Sequence, residues 1–225
     1  MTVFHFDFTQ DATRGSILAQ VNAALGEEGA HRVQQAVEQA GLPSKDFVHP
    51  ADIYAAIDGL GASDKVKADA RAIYEELTRA EAKVHEKAID QVHFHEVGRA
   101  KGVRNVIAIC LAMEALGADK VTATPVQPGA GTVMCAHGEM PCPAPATAVI
   151  LDSGVPTCEE RLEGERVTPT SAAMIKHFVD EFEGEGAQRT YFQGPVPERP
   201  DGHHRHHHHD HDHDHGHGHD HEHHH

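Results

Sequence analysis

The sequence predicts an α/β fold: a single domain with a βαβ unit and several helices, followed by a disordered histidine-rich tail. Three observations predict it. Residues 3–8 alternate around Phe4, Phe6 and Phe8, the period-two pattern of a half-buried strand. Residues 91–126 read as strand, apolar helix and strand, a βαβ unit whose strands are parallel by the crossover argument. From His203 onward the chain has too few apolar residues to bury a core.

The elements follow in order. After the first strand, residues 15–25, 29–40 and 51–58 read as short helices, broken at Gly26, at Gly41-Leu42-Pro43 and at Gly59. Ser63 caps a longer helix reaching about Ile89, with Val66, Ala70, Ile73, Leu77, Ala80 and Val84 as its apolar stripe. Gln91–Val97 reads as a strand, 102–116 as a helix stopped by Gly117, and Asp119–Val126 as the returning strand. Between 127 and 147 a Gly-rich turn and a short strand run into Pro141, Pro143 and Pro145, which block regular pairing until a helix starts near Ala144. Thr168-Pro169-Thr170 opens a helix over about 171–182. The domain therefore spans 1–185, a Pro/Gly linker 186–202, and the tail 203–225.

Composition narrows the function. The 225 residues carry 19 basic and 35 acidic side chains, a net charge of −16, which speaks against nucleic acid and for cations as partners. No apolar run approaches the roughly 20 residues of a membrane helix, and Met1-Thr2-Val3-Phe4 lacks the basic start of a leader. With cysteines only at 110, 135, 142 and 158, too scattered for a disulfide framework, the expected compartment is the cytoplasm.

The strongest chemical signal is the tail, which holds 15 of the 23 histidines. His203, His204, His206, His207, His208 and His209 open it. His211, His213, His215, His217, His219 and His221 then alternate with Asp or Gly, and His223, His224 and His225 close it. Imidazole suits nickel, copper, zinc and cobalt, and a flexible backbone lets many pairs close on one ion. A purification tag is the alternative, but a tag is an unbroken run. This one is interrupted by Asp210, Asp212, Asp214, Gly216, Gly218 and Asp220, so the tail reads as a native metal-binding segment. In the domain, His93-Phe94-His95-Glu96 puts two imidazoles on one strand face with Phe94 on the other, a pattern for a metal site, an acid–base pair or a solvated edge. Cys135 and His137 share a face if 132–137 is a strand, offering a soft and a borderline ligand, or else stand as a buried cysteine and a turn histidine. Thr168 and Thr170 at a helix start suit either a cap or a phosphate. Gly129 and Gly131 match neither a Walker A loop nor a dinucleotide fingerprint and point only weakly to nucleotide.

Taken together, these segments resemble the LarC-type nickel-insertion family. The resemblance runs through His49-Pro50-Ala51-Asp52-Ile53, Ala80-Glu81-Ala82-Lys83-Val84-His85 and Val92-His93-Phe94-His95-Glu96-Val97-Gly98. It continues through Pro125, Gly129-Ala130-Gly131-Thr132-Val133, Cys135-Ala136-His137-Gly138 and Pro141-Cys142-Pro143-Ala144-Pro145-Ala146-Thr147, and closes with Gly164-Glu165-Arg166-Val167-Thr168-Pro169-Thr170. It implies a role in maturing the nickel-pincer nucleotide, with Ni(II) inserted into a pyridinium bisthiocarboxylate mononucleotide in a CTP-dependent step. In that family a His-rich segment is followed by a domain binding CTP with a divalent metal, so a separate CTP-binding domain protein is an implied partner. The resemblance implies His93, His95 and Glu96 as catalytic contacts. It assigns Thr168, Thr170, Gly129 and Gly131 to the nucleotide, and Asp7, Cys135, His137 and the tail histidines to nickel.

The chain departs from the family pattern where Ser16, Lys101 and Asn105 replace acidic residues and where Ser171 replaces a glycine. Fewer carboxylates weaken the attraction for a hard divalent cation. The alternative function is thus a non-catalytic nickel-storage protein or metallochaperone with a degenerate core.

Overall fold

The computed structural model describes residues 1–135, 138–185 and 187. The predicted linker and tail fall almost wholly outside those residues. Val3–Phe6 forms β1, and Phe6 and Phe8 are fully buried, as their alternation requires. The helix α1, Arg14–Gln39, joins the two predicted short helices and kinks at Gly26, whose φ is 68°. The helix α2 is Pro50–Asp58 and α3 is Asp64–Val84, capped by the Ser63 hydroxyl, which accepts a hydrogen bond from the Val66 amide. A 3-10 turn at Ile89–Gln91 precedes α4, Ala100–Leu116, which ends at a left-handed Gly117. Then come β2, Lys120–Ala123, the hairpin strands β3, Thr132–Cys135, and β4, Gly138–Pro141, and α5, Pro145–Asp152. The helix α6, Pro169–Phe178, and the short β5, Glu181–Phe182, complete the domain.

The parallel crossover is present, but its strands differ from those expected. Residues 91–97 form no strand: after the 3-10 turn the chain runs without ladder pairing to Phe94 and bends and turns from His95, and the Phe94 amide donates to the Val48 carbonyl at 2.7 Å. The strand parallel to β2 is β1, with Val3 opposite Lys120 and Phe6 opposite Ala123, and β5 adds parallel on the other side in the order β1-β2-β5. Two helix ends also move. The α3 helix closes at Val84 because Glu86 takes φ 51° and the Lys87 amide returns to the Ala82 carbonyl, a left-handed stop made without glycine. The α6 helix ends at Phe178, and the next residues pair with β2.

Helix α3 is the hub, packing against α2, α4, α5 and α6, while α1 lies along α4. Ile73, Tyr74 and Leu77 of α3, Ile107 and Ile109 of α4, Ile150 and Leu151 of α5 and Met174 of α6 fill the interior. Each such side chain stabilises by about 1.5–3 kcal/mol. Among the described residues no helix is long and apolar enough to cross a membrane.

An ion pair and a hydrogen bond tie α3 to α6. Lys176 donates to Glu76 at 2.6 Å, and His177 meets Asp69 at 3.0 Å. Burial pushes both carboxyls up, but their hydrogen bonds and neighbouring charges outweigh it and leave both below their ordinary values, for Glu76 through Lys176 and Arg79. A lowered folded-state value means stability that is complete above the unfolded-state pKa of ~4.3 and is lost as pH falls through the folded one. Glu76→Gln is therefore expected to cost about 1 kcal/mol at pH ~7 and almost nothing near pH ~3. Calorimetric melts of both proteins at the two pH values check this, and an equal deficit at both would remove the ion pair from the account.

Candidate functional site

Two extended segments cross at one edge of the domain and set the site. The Phe47 amide donates to the Gly98 carbonyl at 2.8 Å, and the Ala100 amide donates to the Asp46 carboxylate at 2.8 Å, capping α4. The crossing is so close that a Cβ on Gly98 would lie 2.1 Å from the Phe47 carbonyl oxygen, so only glycine fits. Phe47 and Phe94 are buried on the inner side, leaving His93, His95 and Glu96 exposed on the outer one.

A cavity of about 590 Å³ opens beside this crossing. One wall is the C-terminal end of α3 with Glu81 and His85, followed by His95, Glu96 and Arg99. The facing wall is Glu165 and the start of α6, with Thr168 and Thr170; Met134 and Met140 of the hairpin and Ala144–Ala146 complete it. His85 Nε2 lies 3.2 Å from Glu81, Arg99 pairs with Glu96 at 3.1 Å, and the His85 and His95 rings are 6.1 Å apart. Glu165 is different. It is half-buried, and among the described residues it has no hydrogen bond or ion pair, so burial alone pushes its carboxyl up.

Of the residues singled out by sequence, His95, Glu96, Thr168 and Thr170 come together here. The others stand elsewhere. His93 points away from the cavity and packs against His49, the ring centroids 4.8 Å apart. Asp7 ends β1, and the Thr9 hydroxyl and amide, donating at 2.7 and 2.9 Å, hold it below the usual carboxylate range. Gly129 and Gly131 do not line the cavity. A Cβ on Gly129 would sit 2.3 Å from the Gly164 carbonyl oxygen, so this glycine lets the 163–166 segment pass and sets where Glu165 emerges. The Cys135 side chain, His137 and the tail histidines lie outside the described residues. Among the described residues, no three His, Cys, Asp or Glu side chains form a ready metal cluster.

The replaced positions are now explained in part. Ser171 is fully buried, and its hydroxyl accepts from the Thr168 amide while Thr168 accepts from the Ser171 amide, so the extra side chain completes a cap and does not enter the cavity. Ser16 accepts from Gln20, which also braces the Asp7 backbone. Lys101 is exposed, and the buried Asn105 Nδ2 has no hydrogen-bond partner among the described residues; neither residue lines the cavity. Sequence reasoning placed His85, Glu81 and Glu165 within the family-like segments but gave them no role in the site. The Glu81–His85 spacing of one helical turn was the available signal for the first two, whereas nothing local marked Glu165.

The cavity of this α/β domain thus combines imidazole, carboxylate, guanidinium and thioether groups. Comparison with known proteins makes this specific: the model of the family described as "Nickel insertion protein" matches residues 4–192, and the chain belongs to that family. The chain is similar to the pyridinium-3,5-bisthiocarboxylic acid mononucleotide nickel insertion protein of Lactiplantibacillus plantarum, 38% identical over 149 residues, covering 65% of this chain and 33% of that protein. The protein of the same name from Desulfitobacterium hafniense is 40% identical over 134 residues, 60% of this chain and 33% of its own length. The chain thus spans about a third of the length of the curated relatives it matches. No solved structure matches it.

Proposed function

We propose that this chain is the nickel-handling N-terminal component of nickel-pincer nucleotide assembly, gathering Ni(II) and meeting a pyridinium bisthiocarboxylate mononucleotide in the cavity between His95 and Thr168. What carries this reading is family membership together with a single cavity uniting imidazoles, an unpaired carboxylate and a capped helix start. The relatives named for nickel insertion into that nucleotide support it. The nucleotide phosphate sits at the start of α6 near Thr168 and Thr170, where the helix dipole favours an anion. His95, with His85 beside it, hands the ion over, and Arg99 holds Glu96 in place. Cys135, and His137 two positions further along the sequence, add a soft and a borderline donor on the nickel route. The CTP-dependent step, with its divalent metal, belongs to a further domain or a separate CTP-binding partner, and the cytoplasm is the compartment of the reaction.

Metallation of a ring carbon breaks a C–H bond: the electron pair stays on carbon to form the Ni–C bond, and the proton needs an acceptor. Glu165 suits that role, because a desolvated carboxylate with no partner gains most from taking a proton. Glu165→Gln is expected to slow insertion about 10²-fold or more, measured with the CTP-binding partner present. Its melting point should hold or rise, since a buried charge is removed. A rate close to that of the parent would assign the proton to another base.

A second reading is favoured by one observation. The described residues hold no three-donor metal cluster, whereas the tail holds 15 histidines, as a nickel-storage protein or metallochaperone requires. Insertion activity restored by a matched CTP-binding partner decides for the first reading, and silence with that partner decides for the second.

A further inference from the structure

We infer that His49 and His93 form a two-imidazole surface site for a borderline divalent cation such as Ni(II), outside the cavity and independent of whether the cavity performs insertion. The two residues are 44 positions apart and are brought together by backbone, since the Val48 carbonyl accepts from the Phe94 amide at 2.7 Å. The crossing is fixed at two further points, Phe47 to Gly98 and Asp46 to Ala100, and Phe47 and Phe94 anchor both segments in the core. Both histidines therefore stand on rigid backbone with exposed rings. His49 is the residue before α2, yet its side chain makes no capping hydrogen bond there.

The spacing is that of a chelate. With a metal–nitrogen distance of about 2.1 Å and each nitrogen roughly 1.2 Å from its ring centre, two imidazoles bound cis to one ion have centroids about 4.6–5.4 Å apart. The observed separation is 4.8 Å, with the ring planes at 82°. Both side chains are exposed, so turning a nitrogen of each toward a shared ion costs only ordinary rotamer energy. Nickel, copper and zinc favour imidazole ligands, whereas calcium and magnesium favour oxygen, and water fills the remaining positions on the ion. Phe94 separates this pair from the His85–His95 pair in the cavity, so consecutive outward residues of one segment face two different metal-binding environments.

The test is residue-resolved histidine modification of the full-length chain with diethyl pyrocarbonate, read by peptide mass spectrometry, with NiCl2 in excess over the tail histidines. Nickel is expected to slow modification of His49 and His93 several-fold and in parallel. His31, exposed on α1 and hydrogen-bonded to Gln35, serves as the unprotected reference. Either His49→Ala or His93→Ala should return the remaining partner to the modification rate it has without metal, and His49→Gln should act like His49→Ala. Protection of His93 that survives loss of His49, or no protection of either at saturating nickel, overturns the site and leaves a contact of two solvated rings. Insertion activity is not measured, so the outcome stands apart from the fate of the cavity reading.

Discussion

Truncation after Gly202 is expected to remove most of the nickel bound per chain while leaving the domain folded. The core among the described residues runs from Phe6 to Ile175, and no apolar residue lies beyond Val196 to add to it. Fifteen imidazoles, by contrast, lie between His203 and His225. Equilibrium dialysis against nickel, with a metal-free melt alongside, measures both halves of the claim. Stability should change by no more than ~0.5 kcal/mol, the ordinary range for residues without core contacts. Nickel held by the full chain should also fall between pH ~7 and ~5, because imidazole with its ordinary pKa of ~6.5 cannot bind a metal once protonated. An unchanged nickel count after truncation would end the tail's role as reservoir in both functional readings.

Phe94→Ala carries the largest expected penalty in the domain that touches the site. The ring is 3% exposed and lies 6.1 Å from the buried Tyr74 ring, whose hydroxyl donates to the Val97 carbonyl at 3.1 Å. Emptying that space should cost about 3–5 kcal/mol, a fall in Tm on the order of 10 °C for a domain of this size. Because Phe94 anchors the segment carrying His93 on one side and His95 on the other, both imidazole pairs should lose their spacing. Phe94→Leu, which keeps most of the volume, should recover much of the stability. A loss below ~1 kcal/mol for the alanine variant would mean that the crossing is held by its backbone hydrogen bonds alone.

Where local chemistry decides, the sequence was readable. The Ser63 cap, the Gly117 stop, the break at Gly26 and the helix starting behind Ala144 all depend on residues within a few positions of one another. The outward histidines around an inward Phe94 were also legible, because an extended segment alternates whether or not it joins a ladder. Its reading as a strand went wrong for that same reason: periodicity does not say which carbonyl the Phe94 amide will find, and it finds Val48. The partner of β2 was hidden because β1 is more than a hundred residues away. In the site, His95 and Thr168 could be picked out singly, but their shared cavity, the divergence of His93 and the isolation of Glu165 arise from packing of distant elements.

The pairing of β1 with β2 has a consequence for how the chain comes to be folded. His5 and Thr122 face each other across 117 positions, so the amino-terminal strand has no sheet partner until almost all of α1 to α4 has been made. At synthesis rates of about 5–20 residues per second that interval is roughly 6–23 s. Closing a loop of that length costs on the order of 4 kcal/mol in chain entropy before any ladder bond repays it. Each helix can form from its own local hydrogen bonds. The β1–β2 pairing, like the packing of α1 on α4 and of α3 on α6, is a late, long-range step, and refolding should be slower than for a helical bundle of local contacts. Until that step is complete, Phe4, Phe6 and Phe8 form an apolar segment without its burial partner, the stretch a chaperone or a neighbouring nascent chain would meet first.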